Sequence, residues 1–587
     1  MQFMSHSMGW ADHFILAMAP VGIITIIVSA IRVGGPSWLE AIIGRARENL
    51  AVAEAELMSS TSKEVCELWN GQEVVRCMGS APVIEFICLL PKDQKSYAKM
   101  EIETIDLKEA LKRGDLTTFD KSFRQSSIRT LHPNTQGQDP EPGLPSDDPR
   151  KSKIVIVRNT TAEAPNISLN SHNQFNRGEL RVVAVIATIL QFRVLVFCGL
   201  ATYYPSLKFQ KDDKAIQGYA FPCTATGTLT LVVGLLIYSH VVESSTTEER
   251  YKPGPGRRAR MVWLQKTQTV SDQHFGSYAI FAADDRELIT TSHRAIKGKD
   301  AKNGSREGGT CAKTLSEDPQ DKAKQISVKV LNRFGIKAVI GSAISLCGFI
   351  VQFIGLRGMH RSASIAQLLA VLIMMALRAL VRRGLAKPPE YIKLTSGFEL
   401  DWFATTLGAI DNAPWMAKGA PDSNSQTGKP FREWTIRTGE IAQNDDDGPE
   451  TGQPPNPDDL GFKASDSVPE LNVENMSSSH EVMKLRRNLG WLADWRGPAS
   501  EEAISATRAI EITMDTLFGT SHQDSVLNWS ICAQFEGQYN PVNFRLERRD
   551  SGKWKAYSDE IEASLSLWLY SVNHIEVSLH RSCGFWE

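Results

Sequence analysis

What this 587-residue sequence lacks narrows what it does. Its nine cysteines form no C-x-x-C pair and no Cys/His zinc spacing, which removes structural zinc modules and thioredoxin-like motifs. They read as free thiols of a reducing compartment, and the eleven-residue recurrence of Cys66, Cys77 and Cys88 reads as chance. No G-x-G-x-x-G opens a helix after a strand, and no G-x-x-x-x-G-K-S/T, H-E-x-x-H, G-x-S-x-G or kinase signature is present. We therefore expect no enzyme, no cofactor and no metal. A formal charge of −2 supplies no global attraction to nucleic acid.

What the sequence does hold is five apolar stretches, at 14–31, 182–204, 221–242, 338–356 and 364–380. A helix crossing the roughly 30 Å hydrocarbon core of a bilayer needs about 17–25 apolar residues. Each stretch meets that length, although a mean hydropathy of −0.22 hides them behind long polar segments. The expected fold class is a polytopic α-helical membrane protein of about five spans, with small α+β cytosolic segments and disordered linkers. Residues 1–13 carry no Lys or Arg, unlike the positive start of a secretory signal, so 14–31 is read as an uncleaved span.

Charge sets the expected orientation. Lys and Arg accumulate on the cytosolic side of short flanks. Arg32, Arg45 and Arg47 follow the first stretch, and Arg382, Arg383 and Lys387 follow the last. That places the N-terminus outside or in a lumen and the C-terminus in the cytosol, which requires an odd number of crossings. Arg357 and Arg361, in the short external connection, run against the rule. Integral membrane, multi-pass localisation follows, with 1–13 external and two cytosolic loops at 32–180 and 243–335.

The second stretch is the weakest, because Gln191 and Arg193 lie near its centre. A central arginine costs about 2.5–3.5 kcal/mol on insertion scales, which flanking Leu, Val, Ile and Phe offset. Arg193 has two readings. It lines a pathway or binds an anion, or it snorkels, meets backbone carbonyls or marks a kink. No Asp or Glu lies in any of the five stretches, whereas proton-coupled transporters usually hold a carboxylate there. Gly341 with Ser345 and Thr224 with Thr228 are small-xxx-small pairs that suit close helix packing.

Outside the stretches, Pro36-Ser37-Trp38-Leu39-Glu40 reads as a capping box opening a helix to about residue 59. A shorter helix is expected at 62–70, ending at Gly71, and strands at 83–90 and 153–158. Residues 132–150 read as a linker, and 261–266 and 277–282 as pairing strands. Residues 296–325 read as mobile, and 381–475 as a largely disordered tail with a short interfacial helix near 400–410. From 480 to 587 the pattern becomes a small α+β unit: a helix from Ser500, strictly alternating residues 527–535, a second alternating run, and a final amphipathic helix. Arg257, Arg258, Arg382 and Arg383 are candidate contacts to anionic headgroups, at about 1 kcal/mol each.

His274, Asp284, Asp285, Ser292 and His293 fall close in sequence, but five common polar residues in a loop make a poor hydrolase. Sequons occur at Asn159, Asn166, Asn303, Asn475 and Asn528, all expected to be cytosolic and unmodified.

Several segments are distinctive: Gly9-Trp10-Ala11-Asp12-His13-Phe14, the run from Ile31 to Trp38, Tyr219-Ala220-Phe221-Pro222-Cys223-Thr224, the run from Val241 to Arg250, Gly355-Leu356-Arg357-Gly358-Met359-His360, and the tail run from Trp554 to Ala563. They resemble a family of uncharacterised filamentous-fungal multi-pass membrane proteins, some members of which are labelled ankyrin-containing. The resemblance covers most of the chain and implies a fungal membrane location and several spans, with no activity and no functional residues to carry over. No 33-residue T-P-L-H repeat is visible.

The functional expectation is a non-enzymatic membrane scaffold or accessory protein, embedded in a lipid bilayer and recruiting cytosolic protein partners through its loops and tethered tail. The alternative is a channel, transporter or lipid-handling membrane protein centred on Arg193.

Overall fold

The computed structural model describes residues 10–18, 22–92, 96–97, 100–119, 153–160, 163–171, 178–204, 210–211, 214–282, 284–295, 319–382, 388–416, 433–436, 478–518, 525–535, 538–549 and 552–583. The expected linker 132–150, the sequons Asn303 and Asn475 and most of 417–475 lie outside the described residues.

The strand Val83–Pro91 reads V-I-E-F-I-C-L-L-P, apolar on both faces except for Glu85, and every residue in it is buried. A strand of that kind has to be covered on both faces. Arg257–Gln265 pairs with it antiparallel from Arg257↔Pro91 to Gln265↔Val83. On its other side lies Ile154–Arg158, which pairs in parallel with the edge strand Ile102–Asp106. Beyond Arg257–Gln265 come Tyr278–Phe281 and then Glu390–Lys393, completing six strands. The sheet thus draws on the two loops and the tail.

One face of this sheet, with Phe86, Cys88, Leu90 and Val262, shares a core with helix Glu399–Gly408 and helices Ser478–Ala493 and Ser558–Cys583. The sheet of Trp434–Ile436, Val526–Phe535, Gln538–Arg548 and Trp554–Lys555 belongs to the same core. On the opposite face, Ile87, Leu89, Met261 and Trp263 pack on the hairpin Val65–Trp69/Val74–Met78 and on the sheet of Ile289–Arg294, Thr246–Pro253 and Leu116–Thr118.

Four expectations change here. Residues 480–587 do not stand apart as a tethered unit, because Leu485, Leu489, Phe535 and Leu567 join Phe86 in one core. The helix near 400–410 is internal: Phe403 is fully buried and stacks on Phe86 at 5.0 Å. Beside it, the buried Arg486 reaches Asp401 Oδ1 at 2.7 Å and Glu562 Oε1 at 3.1 Å, clamping three helices of the tail. Residues 65–69 form a strand, and Gly71, at φ +98°, sits in the hairpin turn where a helix end was expected. Likewise the helix expected to run from Ser37 to about residue 59 is divided. Ser37–Ile42 starts after Pro36, Gly44 at φ +76° stops it, and Asn49 caps Leu50–Leu57 through Ala51 N at 3.1 Å.

Among the described residues, four helices are long and apolar enough to cross a membrane: Gly178–Tyr203, Ala220–Glu243, Gly335–Gly358 and Arg361–Val381. The expected fifth, at 14–31, is divided into Trp10–Met18 and Ile23–Gly34, of 9 and 12 residues. At about 1.5 Å per residue neither spans a hydrocarbon core of roughly 30 Å. Their outer ends come back together. His13 Nε2 lies 3.8 Å from Glu243 Oε2, and a Cβ on Gly34 would lie 2.6 Å from Val241 Cγ1. The two form a half-length hairpin whose ends both meet the Glu243 end of Ala220–Glu243.

Ala220–Glu243 and Gly335–Gly358 run antiparallel in backbone contact. A Cβ on Gly227 would lie 2.3 Å from Gln352 N, on Gly348 2.5 Å from Leu231 N, and on Gly355 2.4 Å from Thr224 N. Seven-residue spacing keeps Gly341, Gly348 and Gly355 in one seam, facing Gly227 and Gly234. Gln352 Nε2 donates to Thr228 Oγ1 at 3.0 Å across it. Gly348→Ala should therefore destabilise the protein by about 1–3 kcal/mol. Gly335→Ala, on the same helix but with open space around it, should be neutral or slightly stabilising. Thermal unfolding of the two variants in detergent checks the contrast, and equal melting would refute the close approach.

Candidate functional site: the bundle face around Arg193

Arg193 lies ten residues before the Tyr203 end of its helix, about 15 Å along the axis. Two residues subtend roughly 200° on a helix of about 3.6 residues per turn, so Gln191 and Arg193 face opposite ways. Gln191 turns inward and exchanges amide contacts with Gln367, at 3.4 and 3.5 Å. Arg193 is exposed on the outside of the bundle, and its guanidinium makes no hydrogen bond or ion pair among the described residues. It borders a shallow groove of about 190 Å³ between Gly178–Tyr203 and the helix Arg361–Arg382, with Phe197, Ala366, Leu369 and Ala370. Nothing in this arrangement makes it the lining of an internal path.

The arginines assigned to headgroups sit elsewhere. Arg257 and Arg258 follow the eight-residue strand Thr246–Pro253, which carries the chain about 26 Å beyond the helix end. Arg257 is 8% exposed and is held by Asp115 at 3.1 Å and by Lys153 O at 3.1 Å. Arg258 donates to Tyr97 OH at 3.1 Å. Both make their contacts within the folded domain. Arg382 ends its helix, and Arg383 lies outside the described residues.

The half-length hairpin is fastened to the domain by Arg32, which the sequence offered only as an orientation signal. Its guanidinium takes both oxygens of Glu48, at 2.6 and 2.8 Å, and Glu56 Oε2 at 2.7 Å. Val33 beside it packs on Ala53, Leu57 and Met58. A buried charge is tolerated only when paired in this way.

Inside the domain, two of the sequon asparagines are built into the packing. Asn166, 1% exposed, donates to Thr61 Oγ1 at 3.0 Å and accepts from Ser292 N at 2.8 Å. Asn159 is buried between Glu85 and Thr291. The loop residues that could have suggested a hydrolase are dispersed: Asp285 pairs with Arg260 at 2.6 Å, Ser292 is buried in a strand, and His274 lies in a separate hairpin. Cys66 and Cys77 face each other across the hairpin, so part of their eleven-residue spacing is hairpin register.

No protein-family model, no curated protein and no solved structure matches this chain. Its class is defined by its own geometry, a bundle of membrane-length helices bearing one composite α+β domain.

Burial pushes the Glu85 carboxyl up to about 7 from an ordinary 4.5, against hydrogen bonds from Trp263 and Asn159. The folded state therefore holds a proton that the unfolded chain has released. That contribution to stability is complete below about pH 4.5 and is lost as pH rises through about 7. Glu85→Gln imitates the neutral form. Its stability relative to the parent should grow by on the order of 3 kcal/mol between about pH 5 and about pH 8. A pH-independent difference in melting would show that Glu85 is ionised throughout.

Proposed function

We propose that this chain is a non-enzymatic, integral membrane scaffold or accessory protein, which holds partner proteins against one face of a membrane. The observation that carries the reading is the six-stranded sheet, in which strands from both loops and the tail close into one body at one end of the helix bundle. A rigid surface loses less freedom on binding than a set of tethered modules. Trp491 is 75% exposed on that body and offers an anchor of the kind that dominates interfaces. The channel or transporter reading has less support, because backbone contact between Ala220–Glu243 and Gly335–Gly358 leaves no path between them.

In this reading the body is cytosolic, with four crossings, and the half-length hairpin returns the N-terminus to the same side. This reverses the external N-terminus drawn from charge and parity, since a hairpin adds no crossing. Tags at the two termini should become protease-sensitive together in sealed vesicles, and opposite protection would restore the fifth span.

A proximity-labelling enzyme fused to the C-terminus tests the scaffold itself. Reproducible cytosolic neighbours are expected, their labelling falling about tenfold or more in Trp491→Ala at unchanged thermal stability. The reading fails if no neighbour is enriched over an unrelated membrane protein carrying the same fusion.

A further inference from the structure

Arg193 presents a charge at depth, facing outward, that nothing in the described chain answers. Its insertion cost falls on a helix whose neighbouring surface is apolar, with Phe192 65% and Leu368 60% exposed. Three sources of countercharge can be compared. Lipid phosphates lie outside a hydrocarbon core roughly 30 Å thick, whereas Arg193 is about 15 Å from its nearer helix end. A second copy of this chain brings no carboxylate, because Asp and Glu are absent from all of the apolar stretches. Two copies meeting groove to groove would also set one Arg193 against the other. What remains is a carboxylate carried by a different membrane protein.

The groove suits such a partner. Ala366 and Ala370, one turn apart, form a low floor beside Arg193. Small residues at that spacing let another helix backbone approach closely in a membrane. Phe197 and Leu369 border the same groove and supply apolar contact for the flanks of an incoming helix. Gln191 and Gln367 are turned toward each other, so their amides do not compete for the visitor.

We propose that the groove between Gly178–Tyr203 and Arg361–Arg382 docks a membrane-spanning helix of another protein, one bearing an Asp or Glu at mid-bilayer depth, and that Arg193 pairs with that carboxylate. The inference rests on the scaffold reading and names the chemistry of one partner. Each charge is expensive alone in the membrane, and pairing relieves both, so recognition is selective for acidic spans.

The test uses the full chain, labelled and reconstituted in phosphatidylcholine vesicles, with energy transfer to synthetic polyleucine spans. One span carries a central Asp, one a central Asn, one Leu throughout, and one an Asp a single turn from its end. The central-Asp span should bind roughly thirtyfold or more tighter than the all-Leu span. Arg193→Leu should erase that preference, and Arg193→Lys should keep most of it. The end-placed Asp should bind like Leu.

Equal binding of the Asp and Leu spans overturns the proposal. So does an Asp preference that survives Arg193→Leu, or an Asn span that binds as tightly as Asp. Arg193→Leu removes a charge from an outer face, so an unchanged melting temperature separates lost docking from lost folding. Labelling around Trp491 is read independently, so failure of the groove leaves the scaffold reading standing, and failure of the scaffold leaves the groove measurable.

Discussion

The structure depends on the nine-position pairing of Val83–Pro91 with Arg257–Gln265. Two membrane-length helices, Gly178–Tyr203 and Ala220–Glu243, lie between these strands in the chain. Backbone hydrogen bonds do not form through a bilayer, so the pairing demands an even number of crossings between its partners. Glu390–Lys393 adds the same demand across Gly335–Gly358 and Arg361–Val381. A sheet register thus acts as a topological constraint, stronger than the charge of any flank. It is satisfied by the four long helices alone.

Within the bundle, the fitted seam between Ala220–Glu243 and Gly335–Gly358 does for the membrane part what the sheet does for the domain. Apolar side chains gain little from meeting each other in lipid, so helices there depend on close contact and interhelical hydrogen bonds. Gly227, Gly234, Gly348 and Gly355 supply the first, and Gln352 with Thr228 the second. Arg32, held by Glu48 and Glu56, then ties the short hairpin to the domain, and Gly34 against Val241 ties it to the bundle. Hairpin, bundle and sheet meet within a few residues of one helix end.

Much of the local structure was legible. Apolar runs marked Val83–Pro91 and Ile154–Arg158, and strict alternation marked Val526–Phe535. Four of the five apolar stretches correspond to long helices. The failures share a cause: periodicity reports which faces of an element are apolar, not what covers them. Helix Glu399–Gly408 looked interfacial because its cover, the central sheet, is made elsewhere in the chain. Hydropathy counted the apolar residues of 14–31 without sensing that Gly22, at φ +74°, starts a new helix. Gly71 signalled a stop, but a helix end and a hairpin turn both use a glycine at positive φ. Arg257 and Arg258 looked membrane-adjacent only because the intervening strand was not counted. As for Arg193, its depth was readable and its direction was not, since that depends on which neighbours Gln191 and Gln367 choose.

The long separation of the paired strands also sets a timetable for synthesis. Val83–Pro91 leaves the ribosome about 166 residues before Arg257, and at roughly 5–20 residues per second this is a wait of about 8–33 s. Throughout that interval the strand lacks Arg257–Gln265 on one edge and the tail helices on one face, although Ile154–Arg158 and the hairpin Val65–Trp69/Val74–Met78 are already made before it ends. Unpaired apolar strands are templates for aggregation. Of the two edges of Val83–Pro91, the one that takes Arg257–Gln265 is therefore the one left open longest during synthesis.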